Sequence, residues 1–469
     1  MGVDMATADV RAMAADADGQ VHATARRPLP APVSPRPGWV EQDAAAWWPA
    51  VAAVVREVAE GRDVVAVCVC ATSGTVAALD RAGEPVGTAL TYADQRAGAE
   101  AEVAQAAGAA RWARLGLRVQ ASFGLPKWAW LLSNRSGAAA LAHAPDVVVG
   151  RLLGAPAPTD WSHALKSGFD PMAEEWAAEV MAALGIPLAL LPEVRRPTSV
   201  AGRVGRSTAT ATGLPVGCEV RLGMTDGCAS QLAAGAGEPG RFVSVLGSTL
   251  VLKGASRELV VDPSGAVYSH RHPDGWWLPG GASNTGGRVL ADDYPGRDPA
   301  ELDAIAADHG PAAYVRYPLV GRGERFPFVA PDAEAFTVGA PADEPDRIRA
   351  TLEGVAFVER LGYERLAALG AVARPPVVVT GGGSRSPVWN RIRATVLGVP
   401  LLATPDASTA RGACILAAAG SLHPDLAAAT AAMAATGEVV GPDDAEREPM
   451  ESSYGRFRAA IVERGWLAD

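Results

Sequence analysis

Apolar positions in this chain follow two alternating patterns. Short unbroken runs, Val64 to Cys70 and Pro376 to Thr380, have the continuous apolar, β-rich character of strands buried on both faces. Longer segments read as helices: Gln42 to Val58 with Trp47 and Trp48, Pro345 to Leu369, Pro387 to Leu397, and one running up to Ala419. Near the start, Val10 to Ala14 and Gln20 to Thr24 flank Asp18-Gly19, a hairpin turn signal. A second start follows Arg241: strand Phe242 to Leu246, turn Gly247-Ser248-Thr249, and returning strand Leu250 to Lys253. Each half therefore opens on strand, small-residue turn with a threonine (Ala6-Thr7, then Ser248-Thr249), and strand. The alternation predicts an α/β class, and the repeated outline suggests a duplicated lobe with a ligand cleft between the copies. The expected division is 1–238 and 239–469.

Length and charge narrow the partners. A chain of 469 residues exceeds one ordinary core. With 49% apolar and 20% charged residues it has a globular composition. A net charge of -10 argues against nucleic acid held by a general basic surface, but backbone N–H groups can still hold an anion locally. No apolar run reaches the roughly 18 residues of a membrane span. Asp4 and Asp9 stand where a signal peptide would need a basic start and an apolar stretch, so a cytoplasmic protein with no membrane partner is expected. The five cysteines form no CxxC, and Cys68 and Cys70 share one strand face as small core residues. His270 and His272 read as a strand-and-loop pair rather than metal ligands.

Three small-residue loops and one aspartate carry candidate chemistry. Phosphoryl transfer needs a cradle for phosphates, a carboxylate to orient the attacking hydroxyl, and a metal ion to neutralise charge. No Walker loop is present. Asp4-Met5-Ala6-Thr7 offers a carboxylate suited to Mg²⁺. Gly247-Ser248-Thr249 offers backbone N–H groups and hydroxyls. Gly381-Gly382-Gly383-Ser384 joins a buried strand to a helix N-terminus, where negative charge is favoured. Asp226, in Gly223-Met224-Thr225-Asp226-Gly227, stands at the start of a small-residue helix whose dipole keeps a proton acceptor ionised. Taken singly, each loop also reads as an ordinary turn and Asp226 as an N-cap.

Taken in order, these segments resemble the FGGY carbohydrate kinases over nearly the whole chain. Gly38-Trp39-Val40-Glu41-Gln42-Asp43 with Trp47-Trp48 is similar to that family's GWxEQD…WW signature, and Gly381-Gly382-Gly383 with Trp389 to its adenosine motif. Thr72-Ser73-Gly74-Thr75-Val76, Ala164-Leu165-Lys166, Val267-Tyr268-Ser269-His270 and Arg322 to Pro327 resemble the D-ribulokinases of plant and cyanobacterial type. The resemblance implies two actin-like (ribonuclease H-like) ATPase lobes with an interlobe cleft, the first binding sugar and the second nucleotide. It implies ATP and Mg²⁺, with Asp226 as the catalytic base and Asp4, Ser73 and Asp226 on the sugar. It places Thr7, Gly247, Ser248, Thr249, Gly382, Gly383 and Ser386 on the nucleotide and Asp4 at the metal. The implied reaction is phosphorylation of a ketopentose such as D-ribulose at its terminal hydroxyl, by a monomer or homodimer. Xylulose, L-ribulose or a tetritol stays open as acceptor, as does a sugar- or nucleotide-binding relative with impaired catalysis. Two positions depart from the usual DxGT[ST] loop: Ala6 replaces the glycine and Ala8 a hydroxyl residue.

Overall fold

The computed structural model describes residues 1–467 and forms two compact α/β units. The first unit contains Met1–Ala233 together with two later segments, His270–Gly275 and Ser408–Ala434. The second contains Ala234–Ser269, Trp276–Ala407 and the chain from Ala435 onward. The expected single division at 238/239 is thus replaced by a break after Ala233 and two returns.

The sheet of the first unit is built from β1 (Gly2–Met5), β2 (Asp9–Ala15), β3 (Val21–Pro28), β4 (Ala66–Ala71) and β5 (Glu219–Thr225). Their order is β5-β4-β1-β2-β3, with Val200–Arg203 as a further edge strand. β2 and β3 form the hairpin predicted around Asp18-Gly19, β1 pairs antiparallel with β2, and β1, β4 and β5 run parallel. The second unit has β6 (Phe242–Leu246), β7 (Leu250–Gly254), β8 (Trp277–Ala282), β9 (Val377–Thr380) and β10 (Leu401–Ala403). Their order is β10-β9-β6-β7-β8, again with a β6–β7 hairpin and parallel β6, β9 and β10. The repeated outline in the sequence is therefore a repeated topology.

The helices that position the sites are α1 (Trp47–Ala59), α2 (Gly124–Asn134), α3 (Asp226–Ala233), α4 (Arg288–Asp293), α5 (Pro299–Asp308), α6 (Glu344–Ala368), α7 (Pro387–Leu397) and α8 (Thr409–Ala418). The helix expected from Gln42 begins only at Trp47. Glu41–Gln42 pairs instead with Ala89–Leu90, and Asp43 accepts the Ala45 N–H to start a short 3₁₀ turn. α1 buries Trp47, Val51, Val54, Val55 and Val58, at i, i+4, i+7, i+8 and i+11, against the first sheet.

α8 explains why Ser408–Ala434 rejoins the first unit. A Cβ on Gly2 would lie 2.2 Å from the Ala410 carbonyl oxygen, and one on Gly412 would lie 1.9 Å from that of Ala229. Only hydrogen fits at these two positions, so α8 lies directly on β1 and α3. Among the described residues, no helix is long and apolar enough to cross a membrane.

Candidate active site

Three parallel strands of the first unit end on one edge. Met5 is in register with Ala71, and Ala71 with Thr225, so the residues that follow each strand converge there. Asp4 lies in β1, Ser73 in the loop after β4, and Asp226 opens α3 after β5. Carboxyl ends of adjacent parallel strands are the usual ligand edge of α/β sheets. β5 carries an extra residue between Leu222 and Thr225 relative to β4, a bulge that re-aims its end. Gly223 permits the close approach there, since a Cβ would lie 2.2 Å from the Val69 oxygen.

Asp4 is buried (3% exposed), and burial, then the nearby Asp226 charge, push its pKa up to about 7. Arg11 Nη1, 3.6 Å from Asp4 Oδ2, pulls the other way, while Arg11 Nε is 2.8 Å from Asp9. Asp226 Oδ1 accepts the Gly227 N–H at 2.7 Å, leaving Oδ2 for other chemistry. The Ser73 hydroxyl oxygen is buried and has no hydrogen-bond partner. Asp4 and Asp226 are thus close enough to act on each other electrostatically, and the strand between theirs leads to an unsatisfied hydroxyl. Among the described residues no group of three or more His, Cys, Asp or Glu side chains forms a metal cage. Mg²⁺ needs none, since it binds through one or two carboxylates, water and phosphate.

Side-chain networks fix the three loops. Gln42 Nε2 donates to the carbonyls of Thr7 (2.8 Å) and Pro30 (2.9 Å), and its Oε1 accepts the Trp47 indole N–H at 3.1 Å. The GWxEQD…WW segment therefore anchors the first loop. Behind Asp226, the Ser162 Oγ accepts the Thr225 N–H at 2.9 Å and donates to Asp160 at 2.5 Å. His163 bridges Asp160 and the Ala71 carbonyl, tying the ends of β4 and β5 together. Burial opposes its charged form, but the Asp160 carboxylate overrides this and raises its pKa.

The second unit repeats the arrangement. Val245 is in register with Thr380, so Gly247 after β6 and Gly381 after β9 are neighbours. A cavity of about 700 Å³ opens beside them, lined by Gly247, Ser248, Gly382, Gly383 and Ser386 and walled by α4, α5 and Trp389. Gly381 has φ +88°, and a Cβ on it would lie 2.6 Å from the Leu246 oxygen. A Cβ on Gly383 would lie 2.5 Å from Leu246 Cδ2, whereas none of the protein comes within 4 Å at Gly382. The triplet thus packs on β6 through two glycines and leaves the third open. Ser386 caps α7 by accepting the Trp389 N–H at 2.9 Å.

The chain matches the N-terminal domain of the FGGY family of carbohydrate kinases over residues 1–233 and the C-terminal domain over residues 243–421. It belongs to the FGGY family of carbohydrate kinases. This FGGY kinase is 32% identical over 417 residues to a xylulose kinase of Streptomyces coelicolor, covering 86% of this chain and 83% of that protein. It is 27% identical over 468 residues to a glycerol kinase of Polaromonas naphthalenivorans, covering 90% of each. Among solved structures, the xylulose kinase from Rhodospirillum rubrum superposes with a TM-score of 0.87 at 29% identity, over 98% of both chains. Plasmodium falciparum glycerol kinase with ADP shares the fold, with a TM-score of 0.85 at 18% identity, over 100% of this chain and 98% of that one.

Of the residues expected at the FGGY kinase's sites, Asp4, Thr7, Ser73 and Asp226 lie on one edge of the first unit. Gly247, Ser248, Gly382, Gly383 and Ser386 share the cavity of the second. Thr249 does not line that cavity; its carbonyl accepts the Gly247 N–H at 3.0 Å and closes the turn. Sequence reasoning missed Asp303, half-buried in the cavity wall, whose pKa burial raises against a hydrogen bond from Ser386. It also missed Glu324, which accepts from Ser283 Oγ (2.8 Å), the Asn284 N–H (2.7 Å), Thr285 Oγ1 (3.1 Å) and the Tyr317 hydroxyl (3.0 Å). That carboxylate organises the segment under Ser248-Thr249, where a Cβ on Gly286 would lie 2.4 Å from Thr249 Cα. The Arg322 to Pro327 motif was a signal for Glu324; Asp303 had none. His270 and His272 are both buried, and His272 Nδ1 accepts the Asp274 N–H at 3.1 Å. Burial, reinforced by Arg196, pushes the His272 pKa down to about 3.

Proposed function

We propose that this FGGY kinase transfers the γ-phosphoryl group of ATP to the terminal hydroxyl of a ketopentose, D-ribulose first among them. The supporting observation is the meeting of Asp4, Asp226 and the unpartnered Ser73 hydroxyl at the carboxyl ends of β1, β4 and β5. ATP with Mg²⁺ is the donor pair. The residues fit it: Gly381 and Gly383 admit no side chain, and Gly382 is open beside a cavity of about 700 Å³. In the first unit Asp4, with Asp226 nearby, would hold the metal and Thr7 would serve the phosphates; in the second, Gly247, Ser248, Gly382, Gly383 and Ser386 would hold the nucleotide, with Thr249 closing their turn. Bound Mg²⁺ supplies neutralisation of charge on the phosphates.

In this mechanism Ser73 and Asp226 hydrogen-bond the acceptor's hydroxyls. Asp226 Oδ2 orients the terminal hydroxyl and takes its proton as the oxygen–phosphorus bond forms and the bond from Pγ to the ADP oxygen breaks. The Gly227 N–H on Oδ1 holds the carboxylate at the start of α3 with Oδ2 free for that role. A second acceptor, D-xylulose, is favoured by the relative at 32% identity named xylulose kinase. Ser73-Gly74 supports ribulose instead, because this position departs from the Met-His and Arg-Glu pairs typical of xylulokinases and glycerol kinases.

The test is ADP release at fixed ATP with D-ribulose, D-xylulose, L-ribulose, erythritol and glycerol in turn. The highest kcat/KM on D-ribulose is expected. A tenfold preference for any other acceptor replaces ribulose with that compound, and turnover of none of them while ATP is hydrolysed overturns the sugar-kinase mechanism.

A further inference from the structure

Lys127 lies on α2 and is wholly buried, at 0% exposure. A lysine ammonium has three donors and no acceptor, and a buried one is ordinarily paired with a carboxylate. Asp94 is near enough to act on it electrostatically, but Asp94 is engaged by Arg96 at 2.7 Å and by the Val40 N–H at 2.6 Å. Lys127 Nζ instead donates to two main-chain carbonyls, Gly74 at 2.9 Å and Thr91 at 2.6 Å.

Those carbonyls belong to two segments that meet at the acceptor side of the first unit. Thr72 to Thr75 is the loop after β4. Its Thr72 N–H reaches the Met5 carbonyl at 3.4 Å, and its Thr75 carbonyl accepts the Ala144 N–H at 3.1 Å. Thr75 Oγ1 accepts the Tyr92 N–H at 3.2 Å, a second tie to the Thr91 segment. Gly74 has φ +84°, and a Cβ on it would lie 3.1 Å from the Ser122 oxygen. The loop is therefore fixed on both sides of Ser73, while the buried Ser73 hydroxyl makes no hydrogen bond of its own.

We propose that Lys127 is a positioning residue for the acceptor: its ammonium draws the Gly74 and Thr91 carbonyls together and so sets the place of the Ser73 hydroxyl. This rests on the acceptor site assigned to Ser73 above. Two buried carbonyl dipoles aimed at one point repel each other, and a cation between them reverses that repulsion. Burying the cation is unfavourable, and it pushes the Lys127 pKa down to about 7. A position that only had to fill volume would be better occupied by methionine or leucine.

The test compares Lys127→Met and Lys127→Arg with the parent, on whichever acceptor the parent turns over. Lys127→Met is expected to raise KM for the acceptor about tenfold or more while KM for ATP stays within about twofold, and Lys127→Arg, which keeps donors, to restore part of the loss. A folded Lys127→Met enzyme with an unchanged acceptor KM, or with both KM values raised alike, overturns the proposal. Should Lys127→Met not fold, Lys127→Arg carries the same criterion with an expected rise of about threefold. Amide hydrogen exchange separates this outcome from failure of the ribulose reading. Faster exchange in 72–75 and 90–92, with β6 and β7 unchanged, is expected in the variant even if the parent uses no acceptor tested, and unchanged exchange there also overturns the proposal.

Discussion

Replacing Asp4 by asparagine should stabilise the first unit at neutral pH while abolishing activity. The folded chain raises the Asp4 pKa from 3.8 to about 7, first through burial and second through the Asp226 charge. A carboxyl whose folded pKa lies above its unfolded value binds protons more tightly in the folded state. Stability is therefore lost as pH rises from about 4 to about 7 and stays low above that. The full loss is about 4 kcal/mol, at 1.36 kcal/mol for each tenfold change in proton affinity. Asparagine has no charge to desolvate. Its advantage should be below about 1 kcal/mol at pH 4, about 2 kcal/mol at pH 5 and about 4 kcal/mol at pH 8. For a domain of about 200 residues that is on the order of 10 °C in melting temperature at pH 8. Thermal or urea unfolding at pH 5 and pH 8, with kinase activity in parallel, measures both parts. Mg²⁺ with ATP should narrow the gap at pH 8 by stabilising only the parent. An asparagine variant no more stable at pH 8 than its parent, or one whose advantage does not grow between pH 5 and pH 8, refutes the reasoning. So does an asparagine variant that keeps full turnover.

Asp226→Asn keeps an oxygen for the Gly227 N–H but removes the proton acceptor, so kcat should fall about 10²- to 10⁴-fold with little change in folding; steady-state kinetics within about fivefold of the parent would sink the base assignment. Gly381→Ala forces a side chain into a left-handed backbone 2.6 Å from the Leu246 oxygen, and should cost about 1–3 kcal/mol and raise KM for ATP, read by urea unfolding and kinetics. Arg393→Met strands Glu359 in the second unit, where both side chains are fully buried and joined at 2.6 and 2.9 Å, and about 3–5 kcal/mol should be lost in denaturant melts. Ala6→Gly restores the small residue of the first loop and should lower KM for ATP; an unchanged value would mean that the Ala6 methyl does not crowd the phosphates.

What the sequence reveals about these sites divides by the range of the interaction responsible. Loops at strand ends are local: a buried apolar run followed by glycine or by a small residue and threonine is visible without any partner, and Asp4, Gly247 and Gly382 were legible on that ground. Ser73 and Asp226 needed the order of motifs along the chain as well, because alone each is an ordinary turn residue or N-cap. Interactions across distant segments left weaker traces or none. Gln42 reads as the first residue of a helix until its amide is seen donating to Thr7 and Pro30, 35 and 12 residues away. Gly412 reads as an unremarked helix glycine until Ala229 lies against it. Lys127 stands among apolar and aromatic residues in a helix, where a lysine ordinarily reaches for solvent along its stem. Only the assembled fold shows two carbonyls waiting for it. The residues proposed for chemistry at strand ends are thus the more readable ones, and those that hold the strand ends in place are the less readable. Lys127, Gln42 and Ser162 all bond main-chain groups of residues far along the chain, and a main-chain carbonyl or N–H leaves no mark on the identity of the residue that carries it.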